Sequence, residues 1–281
     1  ATSSDMLNWK HHTEAILEAP DHMIYSGSAV QVHGDDRIGP CAKNCVVAMY
    51  TCAFKTIPKQ AQCLSTSTDG GYTFTPYSEN PVLDESMRNF RDPKVWRDKK
   101  DMKWKMAVAM PSSSTIAFYE SEDLMHWRIL SKLAVPTRGR AVEMPEIFLL
   151  KEVDATWVWE EERTLAIEAE HWLLKVDWQC SENAKCHSSE YFIGSWNGSH
   201  FEVNRTQHQD SSPSPSDWGK DFYAAMAWTD LPADMGVVWL GWMNNWAYAI
   251  HEPSEIFAGA MTLPRQLALV RVRNRLRLAQ R

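Results

Sequence analysis

The chain has 281 residues, 44% of them hydrophobic and 23% charged, enough for one large domain or two modest ones with a real core, and unlike a disordered or coiled-coil composition. The net charge of −7 argues against a nucleic-acid groove, and the longest apolar run, Met235–Met243, is far shorter than a membrane span. Fourteen tryptophans suit either aromatic packing among many short strands or stacking on sugar rings, and composition leaves both open.

In chain order, a recurring pattern appears first. Ser3-x-Asp5 is followed by Trp9, Ser67-x-Asp69 by Phe74 after a Gly70-Gly71 turn, Ser121-x-Asp123 by Trp127, and Ser195-x-Asn197 by Phe201. In the three later copies an apolar strand runs in: Cys63–Ser67, Ile116–Ser121 and Tyr191–Ser195. Asp, Asn or Gly then turns the chain, and an aromatic starts the return strand. A hairpin recurring at this spacing predicts the blades of a β-propeller, with an irregular β-sandwich as the other reading. Further strands are predicted at Val46–Thr51, Lys105–Met110, Ile147–Leu150, Trp172–Val176 and Val237–Trp242. Glu160–Glu170 reads equally as helix or strand. Leu269–Leu278 alternates apolar residues with Arg271, Arg273, Arg275 and Arg277, which predicts one strand with a cationic face.

The six cysteines show no Cys-x-x-Cys or zinc-finger spacing. Cys180 and Cys186 either close a hairpin by disulfide or, with the other four, are separate thiols. Two glycosylation sequons, at Asn197 and Asn204, carry little weight in a chain of this length.

Acid–base chemistry on a neutral substrate needs carboxylates with different environments at a common funnel. Asn89-Phe-Arg91-Asp92-Pro93 is one source: Pro93 is expected to hold Asp92 extended, and Arg91 to keep its carboxylate ionised. Val142-Glu143-Met-Pro-Glu146 is the other. Glu143 precedes an apolar strand where burial is expected to raise its pKa, which suits a general acid; Glu146 competes for that role.

These residues occur with Tyr25-Ser26-Gly27-Ser28-Ala29 before them and Gly241-Trp242-Met-Asn244-Asn245-Trp246 after them. Ser67-Thr-Asp-Gly-Gly, Asn80-Pro-Val-Leu83, Asp221-Phe-Tyr-Ala-Ala225 and Met261-Thr-Leu-Pro-Arg265 fall between and beyond. In this order, over nearly the whole chain, they resemble glycoside hydrolase family 32, the invertases, inulinases and levanases that cleave β-fructofuranosides. The resemblance implies an all-β, five-bladed β-propeller over residues 1–266 with its first blade incomplete. Residues 267–281 are then an exit strand and linker toward a β-sandwich that is essentially absent.

It also implies a retaining double displacement without metal or cofactor, acting on sucrose, inulin or levan, in a secreted protein with no nucleic-acid or membrane partner. Carried over, Asp92 is the transition-state stabiliser and Glu143 the acid/base. Tyr25, Ser26 and Arg91 line the fructose pocket, and Trp242 and Trp246 either wall it or pack between blades.

The sequence departs from the family at several points. The family's nucleophile lies in an Asn-Asp-Pro-Asn-Gly-like segment, and none occurs here; Asn244-Asn245 lacks an Asp. Met144, Glu146 and Val142 stand where Cys, Asp and Trp are usual, and Ala247 where an acidic residue is frequent. The 281 residues alone are therefore expected to release no fructose. A non-catalytic fructan-binding propeller is the alternative, and an inverting arabinan hydrolase a weaker third.

Overall fold

The described residues of the computed structural model are 1–33, 41, 44–136, 140–158, 169–180, 187–208, 212–232, 234–251 (residue 250 by its backbone alone) and 259–281. Their regular structure is all β, with a few short 3-10 turns and no α-helix among the described residues. The chain divides into two units. The first comprises Ala1–Val135, Val142–Pro145 and Gly198–His200; the second comprises Pro136–Ala141, Glu146–Asn197 and Phe201–Arg281.

In the first unit, β1 (His22–Val32), β2 (Cys45–Phe54), β3 (Gln60–Ser67) and β4 (Thr75–Pro76) pair in sequence, and β5 (Leu83–Met87) joins β3. A second sheet is the meander β6 (Arg91–Arg97), β7 (Trp104–Met110), β8 (Thr115–Ser121) and β9 (Arg128–Ala134). Strands β3, β7 and β8 are buried along their whole length, so they read as continuous rather than alternating runs. Met49, Leu64, Phe90, Val95, Met106, Val108 and Tyr119 belong to one core cluster. Lys105 is fully buried within β7; its ammonium donates to Asp101 at 2.6 Å and Glu120 at 2.9 Å, which offsets the cost of burying the charge.

The repeated hairpins share one hydrogen-bond pattern. The Asp5 carboxylate accepts from the amides of Leu7 and Asn8, Asp69 from Tyr72 and Thr73, and Asp123 from Met125 and His126. Met6 and Leu124 turn at φ 59° and 65°, and their carbonyls accept from the indoles of Trp9 and Trp127 at 3.0 and 2.9 Å. Two tryptophans are thus hairpin residues with their N–H satisfied. At Asn197 the turn falls on Gly198, at φ 98°.

In the second unit, β10 (Ala141–Val153, whose residues 142–145 belong with the first unit), β11 (Glu170–Gln179), β12 (Ser188–Trp196), β13 (Phe201–Val203) and β14 (Ser214–Pro215) share a ten-stranded sheet with five later strands. These are β15 (Tyr223–Trp228), β16 (Val237–Met243), β17 (Ala260–Met261), β18 (Arg265–Val272) and β19 (Arg275–Gln280). Leu150, Leu173, Ile193, Phe222, Trp239, Leu269 and Leu276 share a core cluster. Of the stretch read as helix or strand, residues 160–168 lie outside the described residues and Glu170 opens β11.

The single strand expected at Leu269–Leu278 is instead a hairpin. Val272 pairs with Arg275 across Arg273 and Asn274, both left-handed at φ 48° and 62°. A two-residue turn with both φ positive matches strand twist, and the alternation runs through it uninterrupted, which hides it from a period-2 reading. The same hairpin places the expected exit strand inside the sheet, against β16 and β10. Arg271 there grips Glu152 with two hydrogen bonds of 2.8 Å.

The described cysteines are not separate thiols. Cys41 is bonded to Cys45 and Cys52 to Cys63, and Cys180 is disulfide-bonded too. Cys186 lies outside the described residues.

His208 is buried and hydrogen-bonded to β12. Its Nε2 accepts the Ile193 amide at 2.7 Å, so Nδ1 carries the proton and donates to Ser212 O at 3.0 Å. Burial, above all, pushes its pKa below the ordinary value. With the folded value lowered, its contribution is intact above about pH 6.5 and is lost as pH falls through the folded pKa. Unfolding midpoints measured from pH 7.5 to 5 should therefore drop on the acid side, and His208→Gln should flatten that limb. An unchanged slope in the variant would refute the assignment.

Candidate active site

Within the first unit the sequence-derived residues converge on two left-handed turns. Pairing of β6 with β7 jumps from Arg91 opposite Ala109 to Lys94 opposite Ala107, so Asp92 and Pro93 form a bulge. Pro93 has no N–H to give to a ladder, which suits it to this position. Asp92 is not extended as the following proline suggested; its φ is 63°. Met144, which also precedes a proline, has φ 48°. Non-glycine residues adopt this region only where surrounding contacts hold them. The contact here joins the two turns: Asp92 Oδ2 accepts the Met144 amide at 3.0 Å. The carboxylate of one candidate thus lies against the peptide that follows the other.

Glu143 and Asp92 are both buried, at 8% and 7% exposure. Glu143 Oε1 accepts two hydrogen bonds from Arg91, from Nε at 3.0 Å and Nη2 at 2.6 Å. Arg91 Nη1 donates to Gln60 and Asn89. The guanidinium therefore orients Glu143, whereas the sequence had linked it to Asp92. Glu146 is directed elsewhere: its Oε2 accepts the Ala227 amide at 3.2 Å in the second unit.

Tyr25 and Ser26 lie on β1 at a second bulge, where pairing passes from Tyr25–Thr51 to Gly27–Tyr50 and leaves Ser26 as the extra residue. Both are exposed. Gly27 is required by closeness of approach: a Cβ there would meet Met49 O at 2.0 Å and Tyr50 Cα at 2.6 Å. Thr51 Oγ1 lies 3.2 Å from the Ser26 carbonyl. Tyr25, Ser26, Arg91, Asp92 and Glu143 thus belong to one unit, linked through β1, β2 and β6.

Trp242 and Trp246 belong to the second unit, where their rings meet edge to face at 5.1 Å and Trp246 is 42% exposed. Asn244 and Asn245 are buried turn residues. Asn245 accepts from the Ala247 amide and donates to Lys220 O, a structural use of the side chain.

Among the described residues, His22, Cys52 and Cys63 are the one metal-ligand grouping. The two sulfurs are bonded to each other, so they offer no thiolates to an ion. The first-unit cluster holds two buried carboxyl groups of unlike surroundings. One is gripped by the arginine and the other by a backbone amide, an arrangement able to protonate a leaving oxygen while holding hydroxyl groups.

Sequence reasoning missed Thr51, Gln60, Gln62 and Ser28 around this cluster. Their one visible signal is polar residues recurring within otherwise apolar strands.

Comparison with known proteins converges on one group. The family model described as Glycosyl hydrolases family 32 N-terminal domain matches residues 1–281. The extracellular exo-inulinase inuE of Meyerozyma guilliermondii is 35% identical over 276 residues, which are 96% of this chain and 50% of that protein. The invertase of Schizosaccharomyces pombe is 33% identical, covering 95% of this chain and 45% of that protein. A fructofuranosidase of Schwanniomyces occidentalis, solved in complex with fructose, superposes with a TM-score of 0.82 at 29% identity, covering 99% of this chain and 53% of the other. The chain spans about half the length of the curated relatives it matches.

Proposed function

The chain belongs to glycoside hydrolase family 32, and on that premise we propose that it is the catalytic propeller of a retaining β-fructofuranosidase acting on sucrose or a fructan. The observation that carries this reading is the Arg91–Glu143 pair set beside Asp92 through the Met144 amide. As the fructosyl carbon passes to a carboxylate nucleophile, for which these 281 residues hold no Asn-Asp-Pro segment, Glu143 protonates the departing glycosidic oxygen and then takes a proton from the water that releases the sugar. Arg91 fixes the orientation of that carboxyl. Asp92 holds sugar hydroxyl groups whose hydrogen bonds strengthen as charge develops on the ring. Tyr25 and Ser26 line the fructose pocket, while Trp242 and Trp246 form an aromatic pair of the second unit.

A five-bladed propeller is supported by the four-stranded meander β6–β9 and by the hairpins at Asp5, Asp69 and Asp123, which share one hydrogen-bond pattern. Secretion is supported by the disulfides and by relatives named extracellular.

Fructose binding tests the reading on the 281 residues themselves. Asp92→Ala is expected to weaken fructose binding, measured by calorimetry, by about tenfold or more through loss of charged hydrogen bonds. An unchanged dissociation constant would remove Asp92 from the site. A fructan-binding protein without turnover would give the same binding result, and release of fructose from sucrose or inulin by a form of the protein that carries a carboxylate nucleophile separates the two.

A further inference from the structure

The segment carrying Asp92 is tied down by side chains of β1–β3. Gln60 Oε1 accepts the Phe90 amide at 2.9 Å, and Gln62 Nε2 donates to the Phe90 carbonyl at 2.8 Å. Thr51 Oγ1 accepts the Asp92 amide at 3.0 Å. Ser28 Oγ donates to the Pro93 carbonyl at 2.8 Å and accepts the Val95 amide at 2.9 Å. Five backbone groups between Phe90 and Val95 are thus satisfied by four side chains where the ladder is broken.

Thr51 and Gln62 are both fully buried, and burying such groups is costly unless each is paired. Their pairing is continuous. The hydroxyl of Thr51 has a single proton, within reach of Gln62 Oε1 at 3.1 Å and the Ser26 carbonyl at 3.2 Å, while its lone pair receives the Asp92 amide. Gln62, its oxygen toward Thr51, has its amide nitrogen toward Phe90.

We infer that Thr51, backed by Gln62, is a positioning residue that holds Asp92 in its left-handed conformation and so aims its carboxylate; this rests on the reading of Asp92 as the sugar-holding group. Thr51 touches no reacting atom. It fixes the Asp92 backbone at φ 63°, the carboxylate then receives the Met144 amide, and that peptide carries Glu143. One hydroxyl therefore sets the spacing of both candidate carboxyl groups, and a valine of the same shape would take from the Asp92 amide the acceptor that Thr51 provides.

The test compares Thr51→Val, Thr51→Ser, Asp92→Ala and, as a control for destabilisation in the other unit, Val176→Ala. Readouts are the fructose dissociation constant and hydrogen exchange at the Asp92 and Met144 amides. Thr51→Val is expected to weaken fructose binding about tenfold, as a small misplacement of a binding group does, and to speed exchange at both amides. Thr51→Ser should restore both readouts, and Val176→Ala should lower the unfolding midpoint and move neither. If Asp92→Ala leaves fructose binding unchanged, the reading of Asp92 fails and amide exchange alone decides the positioning. Unaltered exchange at Asp92 in Thr51→Val, or no rescue by serine, overturns the inference.

Discussion

Glu143→Gln is expected to lower turnover of sucrose by about a thousandfold in an active form of the protein, within the range of a lost general acid. The substitution is chosen for what it keeps. Glutamine retains an oxygen that can accept from Arg91 Nε and Nη2 in place of Glu143 Oε1, so the ion pair becomes a hydrogen bond from a cationic guanidinium to a neutral amide and the turn at Met144 survives. What disappears is a proton to give to the leaving oxygen and a base to activate water. An aryl fructoside with an acidic phenol needs no such proton, so formation of the fructosyl-enzyme from it should be far less impaired. Its breakdown should remain slow, and added azide, which needs no general base, should accelerate it. A variant that hydrolyses sucrose normally, or loses equal activity on both substrates with no response to azide, would exclude Glu143 as the acid/base.

The Arg91 and Asp92 contacts show how far a sequence reading reaches. The hairpins were legible because Asp5, Asp69 and Asp123 act within four residues of themselves, and local hydrogen bonds leave a local pattern. The strands at β2, β7, β8 and β11 were legible as apolar runs. Arg91, Asp92 and Glu143 stood out by residue type and order, but not their pairing: Arg91 meets Glu143 across 52 positions and not the neighbour it touches in sequence. Thr51, Gln62 and Ser28 were invisible for the same reason, since each acts on a backbone group 28 to 67 residues away. The left-handed conformations of Asp92 and Met144 run against the preference of residues before proline, so only tertiary contacts can specify them. The Cys52–Cys63 bond crosses from β2 to β3, and spacing alone does not pair it.

The buried pair Lys175–Asp177 should dominate the stability of the second unit. Both side chains are fully buried. Lys175 Nζ donates to Asp177 Oδ2 at 2.6 Å and to the Ala225 carbonyl at 3.1 Å, and the same carboxylate oxygen accepts the Ala224 amide at 2.7 Å. Burial, the largest influence, pushes the Asp177 carboxyl up, with Lys175 acting against it. Lys175→Met alone should cost about 3–5 kcal/mol, because an uncompensated carboxylate is left in the core or must take up a proton. Lys175→Met with Asp177→Leu should recover part of that, since no charge remains. It should not recover all of it, because the Ala224 amide would lose its acceptor at a left-handed residue of φ 50°, a loss of about 1–3 kcal/mol. Lys175→Met with Asp177→Asn keeps a neutral acceptor there and should be the more stable of the two doubles by denaturant unfolding. A leucine double variant as unstable as the single would show that charge is not the source of the loss. An asparagine double no better than leucine would show that the carboxylate does not hold Ala224, as Asp92 holds Met144 in the first unit.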